Sequence, residues 1–403
     1  MTNRRRARAL VVFPLDASSP HHGNRQRLLQ SRNLLTRLGF ETFLLGQGDI
    51  SSQLSEGFSG VRSSDNLRIG RGRRLAAGFI PIGTVGLSEA LGRELAQLCS
   101  EWKIELIFMH YLFWSRALDW IPEDVVKVID THDIFANRHR KFTRPRSFLF
   151  SCTEREEREL LQKSHIVLAI NEVDENVLRN YELRGEVAHM QLSLERNWVL
   201  SPPDYDEIVI GIFGSANALN VSDTVRLVSL LLDSGVSHRI KIAGGVATKV
   251  ARAFSRHNRL EQLEFLGEIS DLSSLFAQVN VVVIPNFCGT GTSVKFIDAI
   301  SSGRAVISGR VGSRGGLSTH RLHNLNSIEE LITAVIDLSA NSEEKLAELE
   351  AESRKILARI VLRSEEDTEN LRKLLHSFPP SSTLFLDEGG EDRSAPNSLA
   401  NRD

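Results

Sequence analysis

Short apolar, β-branched runs alternate along this chain with longer stretches of helical spacing, and that alternation predicts βαβ units built around parallel sheets. ALVVF (9–13), ETFLL (41–45), IELIFMH (104–110), VVKVID (125–130) and IVLAI (166–170) form a first series. EIVIGIFG (207–214), RIKIAGG (239–245), LEFLG (263–267), VNVVVIP (279–285) and AVISG (305–309) form a second. The pattern restarts, so the expected class is α/β with two parallel-sheet domains. Between the series lies LERNWVLSPPDYDE (194–207), where Pro202 and Pro203 deny a helix its donors and conformations. The hinge is placed there, giving domains over 1–200 and 201–340.

Residues 23–39 carry Leu28, Leu29, Leu34, Leu35 and Leu38 at helical spacing, with Gly39 where a C-cap belongs. This predicts a packing helix. The Ala-, Leu-, Glu-, Lys- and Arg-rich segment 341–376 predicts one or two solvent-bordered helices, expected to cross back to the first domain. From 377 to 403 the composition turns to Pro, Ser, Gly and acids, which predicts a disordered tail.

The 403 residues are 41% hydrophobic and 25% charged, ordinary for a globular protein of about two domains. With 49 Lys+Arg against 51 Asp+Glu the net charge is −2, so nothing global favours nucleic acid as a partner. Cys99, Cys152 and Cys288 match no C-x-x-C spacing, which points to a reducing compartment without structural zinc. The basic start MTNRRRAR precedes an apolar run that Pro14 and Asp16 cut short of a signal segment. No stretch approaches the ~18–20 apolar residues of a membrane span. The expected location is cytoplasmic, at most peripheral at the inner face of a membrane.

Candidate chemistry concentrates in VNVVVIPNFCGTGTSVKFIDAISSGRAVISGRVGSRGG (279–316). A strand runs into Gly289-Thr290-Gly291-Thr292, and a helix starts near Ser293. Glycines admit close backbone approach, while hydroxyls and free amides at a helix N-terminus attract an anion. Lys295 adds a charge in the first turn, and Asp298 follows at i+3. The set suits a diphosphate with a ribose beside it, although a Gly-rich turn also serves plain packing of strand on helix. Neither G-x-x-x-x-G-K-[ST] nor a G-x-G-x-x-G after the first strand occurs, which weakens kinase and dinucleotide readings.

This segment resembles the nucleotide-sugar site of GT-B glycosyltransferases, especially retaining family 4 (glycosyl transferases group 1), whose stretch runs roughly P-x(n)-G-x-G-x-x-x-K-x-x-E-A-x-x-x-G-x-P-V-V. The resemblance extends over LEFLGEISDLSSLFAQVNVVVIP, IGIFGSANALN, IDTHDIFANRHR and EEREL...HIVLAINEVDENVLR, most of residues 8–316. It implies two Rossmann-like domains facing a central cleft, with donor in the second and acceptor in the first. Where the family has an E-x7-E pair, this chain has Thr290 and Asp298. Asp298 keeps a carboxylate for the ribose; Thr290 does not. The basic residues common after the second domain's first strand are replaced by Gly214, Ser215, Asn217 and Asn220, leaving Lys295 and Arg314 to meet the phosphates.

In the first half, FPLDASSPHHGNRQR (13–27) reads as strand, loop and helix start; the resemblance makes Gly23 a donor-side position, with Arg25 and Arg27 able to reach a phosphate. Arg27 reads equally as a helix-surface charge. His21 and His22 lack a third ligand at a metal spacing, and no metal is expected. His132 and Asp133, the catalytic candidates, follow a strand at its C-terminal end, where open α/β sheets place ligands. In the family a His there contacts the donor sugar. His110 ends another strand and joins Arg25 and Arg138 as an acceptor or phosphate candidate. Arg138, His139, Arg140, Lys141, Arg144 and Arg146 form the densest basic patch, suited to an anionic acceptor or a membrane surface, with Tyr111, Phe113 and Trp114 as an apolar wall.

The resemblance thus implies a metal-independent hexosyltransferase-like enzyme. It would move sugar from a UDP- or GDP-sugar co-substrate, with no other cofactor, to a glycan, lipid-linked or other hydroxyl acceptor with retention. A nucleotide-sugar epimerase of the same fold and a non-catalytic GT-B binding protein are the alternatives.

Overall fold

The computed structural model describes residues 5–14, 23–48, 50–68, 79–82, 89–141, 149–194, 198, 200, 207–269, 271–340 and 342–378. His21, His22, Arg144, Arg146, most of the expected hinge and the tail beyond 378 lie outside them.

In the first half, β1 (Arg8–Phe13) is followed by α1 (Gly23–Arg37), β2 (Glu41–Gly46), α2 (Ser52–Ser55) and β3 (Gly60–Ser63). Then come β4 (Phe79–Pro81), α3 (Glu89–Trp102), β5 (Leu106–His110), β6 (Val126–Asp130), β7 (Leu149–Ser151), α4 (Glu154–Leu161), β8 (Ile166–Ala169), α5 (Glu172–Arg179) and β9 (Glu186–His189). Seven strands pair in the order β3-β2-β1-β5-β6-β8-β9, and β4 with β7 forms a small separate sheet. Every pairing is parallel. Helices cover both faces, so the central strands read as continuous apolar runs instead of alternating ones; all five residues of β5 are buried.

The second half repeats the plan with β10 (Val209–Phe213), α6 (Ala218–Asp233), β11 (Arg239–Ala243), α7 (Gly245–Phe254), β12 (Leu263–Gly267), α8 (Ser273–Phe276), β13 (Val281–Ile284), α9 (Val294–Ser301), β14 (Ala305–Ser308) and α10 (Ile328–Ile336). Its parallel sheet has the order β12-β11-β10-β13-β14. In both sheets the strand order reverses at the first strand, between β1 and β5 and between β10 and β13. A crevice outside the carboxyl ends of the strands opens at such a reversal. The fold is therefore the expected pair of Rossmann-like domains.

The ten apolar runs all became strands. Among the described residues four further strands, β3, β4, β7 and β9, were not predicted; they are short, and β3 and β9 are the polar edges of their sheet. The C-terminal segment is one helix, α11 (Ser342–Ser377), about 54 Å long at 1.5 Å per residue. Leu346, Leu349, Ile356 and Ile360 bury against the second domain's clusters, and Leu371 and Leu375 against the first domain's. It straps the two domains. Among the described residues no helix is long and apolar enough to cross a membrane.

Candidate functional site

Two loops face each other across the crevice. One leaves β6 at Thr131-His132-Asp133; the other leaves β13 and reaches α9. In the second loop Ser293 caps α9, its hydroxyl accepting from the Phe296 amide at 3.4 Å. Lys295, in the first turn, donates to Asn220 Oδ1 at 2.9 Å and Asn286 Oδ1 at 2.5 Å. Asn220 also donates to Ser215, at 3.2 Å to both its carbonyl and hydroxyl, so the turn after β10 is tied to the same ammonium. Burial lowers the Lys295 pKa to about 8, opposed by the negative charge of Asp223. Gly214, Ser215, Thr292, Ser293 and Lys295 thus gather at the carboxyl end of the second sheet, while Asp298 sits deeper, 5% exposed.

Gly291 explains the loop's composition. Its φ is +72°, and a Cβ there would lie 2.9 Å from the His132 carbonyl oxygen. A side chain would hold the two loops apart. Gly289, at φ +153°, is also in a conformation that L side chains rarely adopt.

Polar contacts cross directly between domains. Thr290 donates to Asp133 Oδ2 at 2.8 Å and accepts from Arg138 Nε at 3.0 Å, while Arg138 also pairs with Asp133 at 2.9 Å. Thr290, standing where the family carries a carboxylate, is therefore met by a carboxylate from the opposite lobe. Arg138 belongs to this cleft and not to a surface patch; its neighbour His139 bonds Ser151 at 2.7 Å, and only Arg140 is exposed among the described side chains of the patch. Beside this strap, Arg314 pairs with Asp174 at 2.5 Å, and Asn171 donates to Thr292 Oγ1 at 3.3 Å. The guanidinium expected to share the phosphates is committed to the first domain.

Beneath His132 lies a buried polar stack. His132 Nε2 is 2.7 Å from His110 Nδ1, and His110 Nε2 is 2.9 Å from Ser31 Oγ. Asp130 Oδ2 lies 3.4 Å from His132 and 3.5 Å from His110. Both Asp130 oxygens accept from Arg27, at 2.7 and 3.0 Å. Burial works to raise the Asp130 carboxyl, but the Arg27 charge outweighs it and holds the group well below the usual range. Burial lowers both imidazoles, His132 to about 3, so both rings are neutral near pH 7. His110 is fully buried and cannot touch acceptor or phosphate, which corrects its expected role. Arg27 is 2% exposed and is no surface charge. Arg25 on the same helix is also buried, and Gly23 begins α1.

His110, Asp130 and His132 offer three ligand atoms within 4.8 Å. A tetrahedral ion at ~2.0–2.1 Å from two nitrogens would hold them about 3.3 Å apart. At 2.7 Å they are instead hydrogen-bonded, and Arg27 occupies both carboxylate oxygens.

Glu157, which sequence reasoning missed, fixes the first loop from below. Its carboxylate accepts from the Phe135 and Ala136 amides at 2.7 and 2.9 Å and from the Tyr181 hydroxyl at 2.9 Å. Burial pushes its pKa up to about 7. Tyr111 stacks on His132, with centroids 4.0 Å apart and planes at 19°, and on Phe113 at 5.1 Å.

Two parallel-sheet domains with loops meeting across a crevice are the GT-B architecture, and residues 207–341 match the family model described as Glycosyl transferases group 1. The GT-B fold that the resemblance implied is borne out, and residues 207–341 are similar to the group 1 glycosyl transferases. Solved structures agree on the fold. Sucrose-phosphate synthase from Thermosynechococcus elongatus superposes with a TM-score of 0.68 at 12% identity, covering 92% of this chain and 100% of that one. Anabaena HepE in complex with UDP and glucose gives 0.65 at 15% identity, covering 91% and 100%. OtsA gives 0.66 at 11% identity, covering 93% and 100%. No curated protein matches the chain by sequence.

Proposed function

We propose that this protein transfers a sugar from a nucleoside-diphosphate donor to a hydroxyl acceptor, with retention of configuration, in glycan, polysaccharide or glycolipid synthesis. The observation that carries the reading is Lys295, held by two neutral amide oxygens at the start of α9 opposite His132 and Asp133. An ammonium has three donors; with two fixed on Asn220 and Asn286, one remains to meet a diphosphate. The HepE structure, solved with UDP and glucose, supports a donor of that class.

Donor diphosphate lies against the N-terminus of α9, with Asp298 on the ribose side, and the sugar extends toward His132. As the bond from anomeric carbon to phosphate oxygen breaks, negative charge grows on the diphosphate, and Lys295 with the loop amides stabilises it more in the transition state than before. The acceptor oxygen bonds the anomeric carbon on the same face and gives its proton to the departing phosphate oxygen. Arg140, exposed in the turn that follows His132 and Asp133, lends this side positive charge, suiting an anionic or lipid-linked acceptor.

The test is incubation with a panel of nucleotide sugars, with nucleoside diphosphate followed by mass spectrometry. Release stimulated by an acceptor is expected. Conversion to an isomeric sugar nucleotide would replace transfer by epimerisation, and binding without turnover would leave a binding protein.

A further inference from the structure

The hydrogen-bond chain beneath His132 has a direction, and it runs away from the crevice. The Ser31 hydroxyl, with one proton, donates to the Leu28 carbonyl at 2.8 Å. When that proton stays on Leu28, the Ser31 oxygen is left to accept from His110 Nε2, 2.9 Å away, which puts the His110 proton on Nε2. In a neutral ring that leaves His110 Nδ1 as an acceptor, and the group 2.7 Å from it is His132 Nε2. In that arrangement His132 is also the Nε2–H tautomer, with Nδ1 unprotonated.

The surroundings hold this arrangement. Asp130, 3.4–3.5 Å from both ring nitrogens, would alone favour an imidazolium, but Arg27 neutralises it through both oxygens. Arg27 is itself fixed by the Met190 carbonyl at 3.0 Å and Gln30 Oε1 at 2.9 Å. Tyr111 clamps the His132 ring face, and its hydroxyl donates to Asn24 Oδ1 at 2.7 Å.

We infer that Ser31 and His110 are positioning residues that fix the tautomer of His132, so that its remaining nitrogen, Nδ1, offers the crevice a hydrogen-bond acceptor and never a donor. Resting on the proposed transfer reaction, this narrows the ligand: the group meeting His132 is a proton-bearing hydroxyl, and a sugar carrying a carboxylate or phosphate there is refused, since two acceptors would face each other.

The experiment reads the tautomer directly. Long-range ¹⁵N–¹H correlation of the histidine rings in the full-length protein at pH 7 is expected to show His110 and His132 as Nε2–H, assigned with His110→Gln and His132→Gln. Ser31→Ala removes the acceptor that sets the direction, and His110 is expected to turn toward Nδ1–H, reversing His132 with it. Ser31→Thr restores the hydroxyl and the original tautomers. A His132 ring protonated on Nδ1 in the unmodified protein, or tautomers unmoved by Ser31→Ala, overturns the inference. In turnover, Ser31→Ala is expected to lower kcat at least tenfold while UDP affinity, set in the other domain, stays within twofold. Absence of UDP binding in every variant would count against the donor reading and leave the spectroscopic result standing.

Discussion

Replacing Arg27 with Met isolates the energetics of the buried stack. The Arg27 and Asp130 side chains are 3% and 0% exposed, and the guanidinium makes two bonds to the carboxylate besides those to Met190 and Gln30. Met keeps most of the volume and removes the charge, leaving a carboxylate with no cation in a dry site. Breaking a buried pair from one side costs about 3–5 kcal/mol. For a domain of this size that corresponds to a melting temperature lower by about 6–20 °C.

The pH dependence carries the sharper sign. In the unmodified protein the Asp130 pKa is depressed, so its stabilisation is present above the unfolded value and is lost only as pH falls through the lower folded value. In Arg27→Met the largest opposing charge is gone, only His132 and His110 still act against burial, and the folded pKa rises. Protonation then relieves the variant, and its deficit shrinks as pH falls from 7 to 5. Thermal unfolding at both pH values, with Arg27→Met/Asp130→Asn as control, measures this. A deficit under about 2 °C at pH 7, or one equal at both pH values, would refute the reasoning.

Lys295→Met is expected to weaken UDP binding by about 1.5–3 kcal/mol in calorimetry, the scale of a hydrogen bond to a charged group. Because burial lowers the Lys295 pKa to about 8, affinity of the unmodified protein should fall as pH rises from 7 to 9, and this slope should vanish in the variant. Gly291→Ala places a Cβ against the His132 carbonyl at positive φ and should cost about 1–3 kcal/mol of stability, read by thermal unfolding, with turnover falling as the loops separate. Glu157→Gln presents an NH2 where the loop amides need an acceptor, so one of the Phe135 and Ala136 amides is orphaned at a cost of about 1–3 kcal/mol. Hydrogen exchange of those two amides should accelerate, while Tyr181→Phe should leave them protected.

Local pattern made much of this protein legible. A strand buried on both faces must be apolar throughout, and ALVVF or VNVVVIP says so without its neighbours. The edge strands, GVRS in β3 and EVAH in β9, carry no such signature, because only their position in the sheet makes them strands. The Gly-Thr-Gly-Thr loop and Lys295 were readable because strand, glycines and helix start lie in one short segment, and the anion chemistry of a helix start is local too.

The contacts that define the crevice are of another kind. Arg27 and Asp130 are 103 residues apart, Thr290 and Asp133 157, and Arg314 and Asp174 140. From sequence Arg27 read as a phosphate contact or a surface charge, Arg138 as part of a basic patch, and His110 as a ligand contact. Folding buried Arg27 on a carboxylate, turned Arg138 into the cleft and sealed His110 beneath His132. The residue order by itself determined the two-domain α/β plan and the Gly-Thr-Gly-Thr loop, since hydrophobic period and turn chemistry are properties of neighbours along the chain. Which charges pair, and which imidazole nitrogen faces the crevice, only the tertiary structure decided, because those outcomes depend on burial and partners that the fold alone brings within 3 Å.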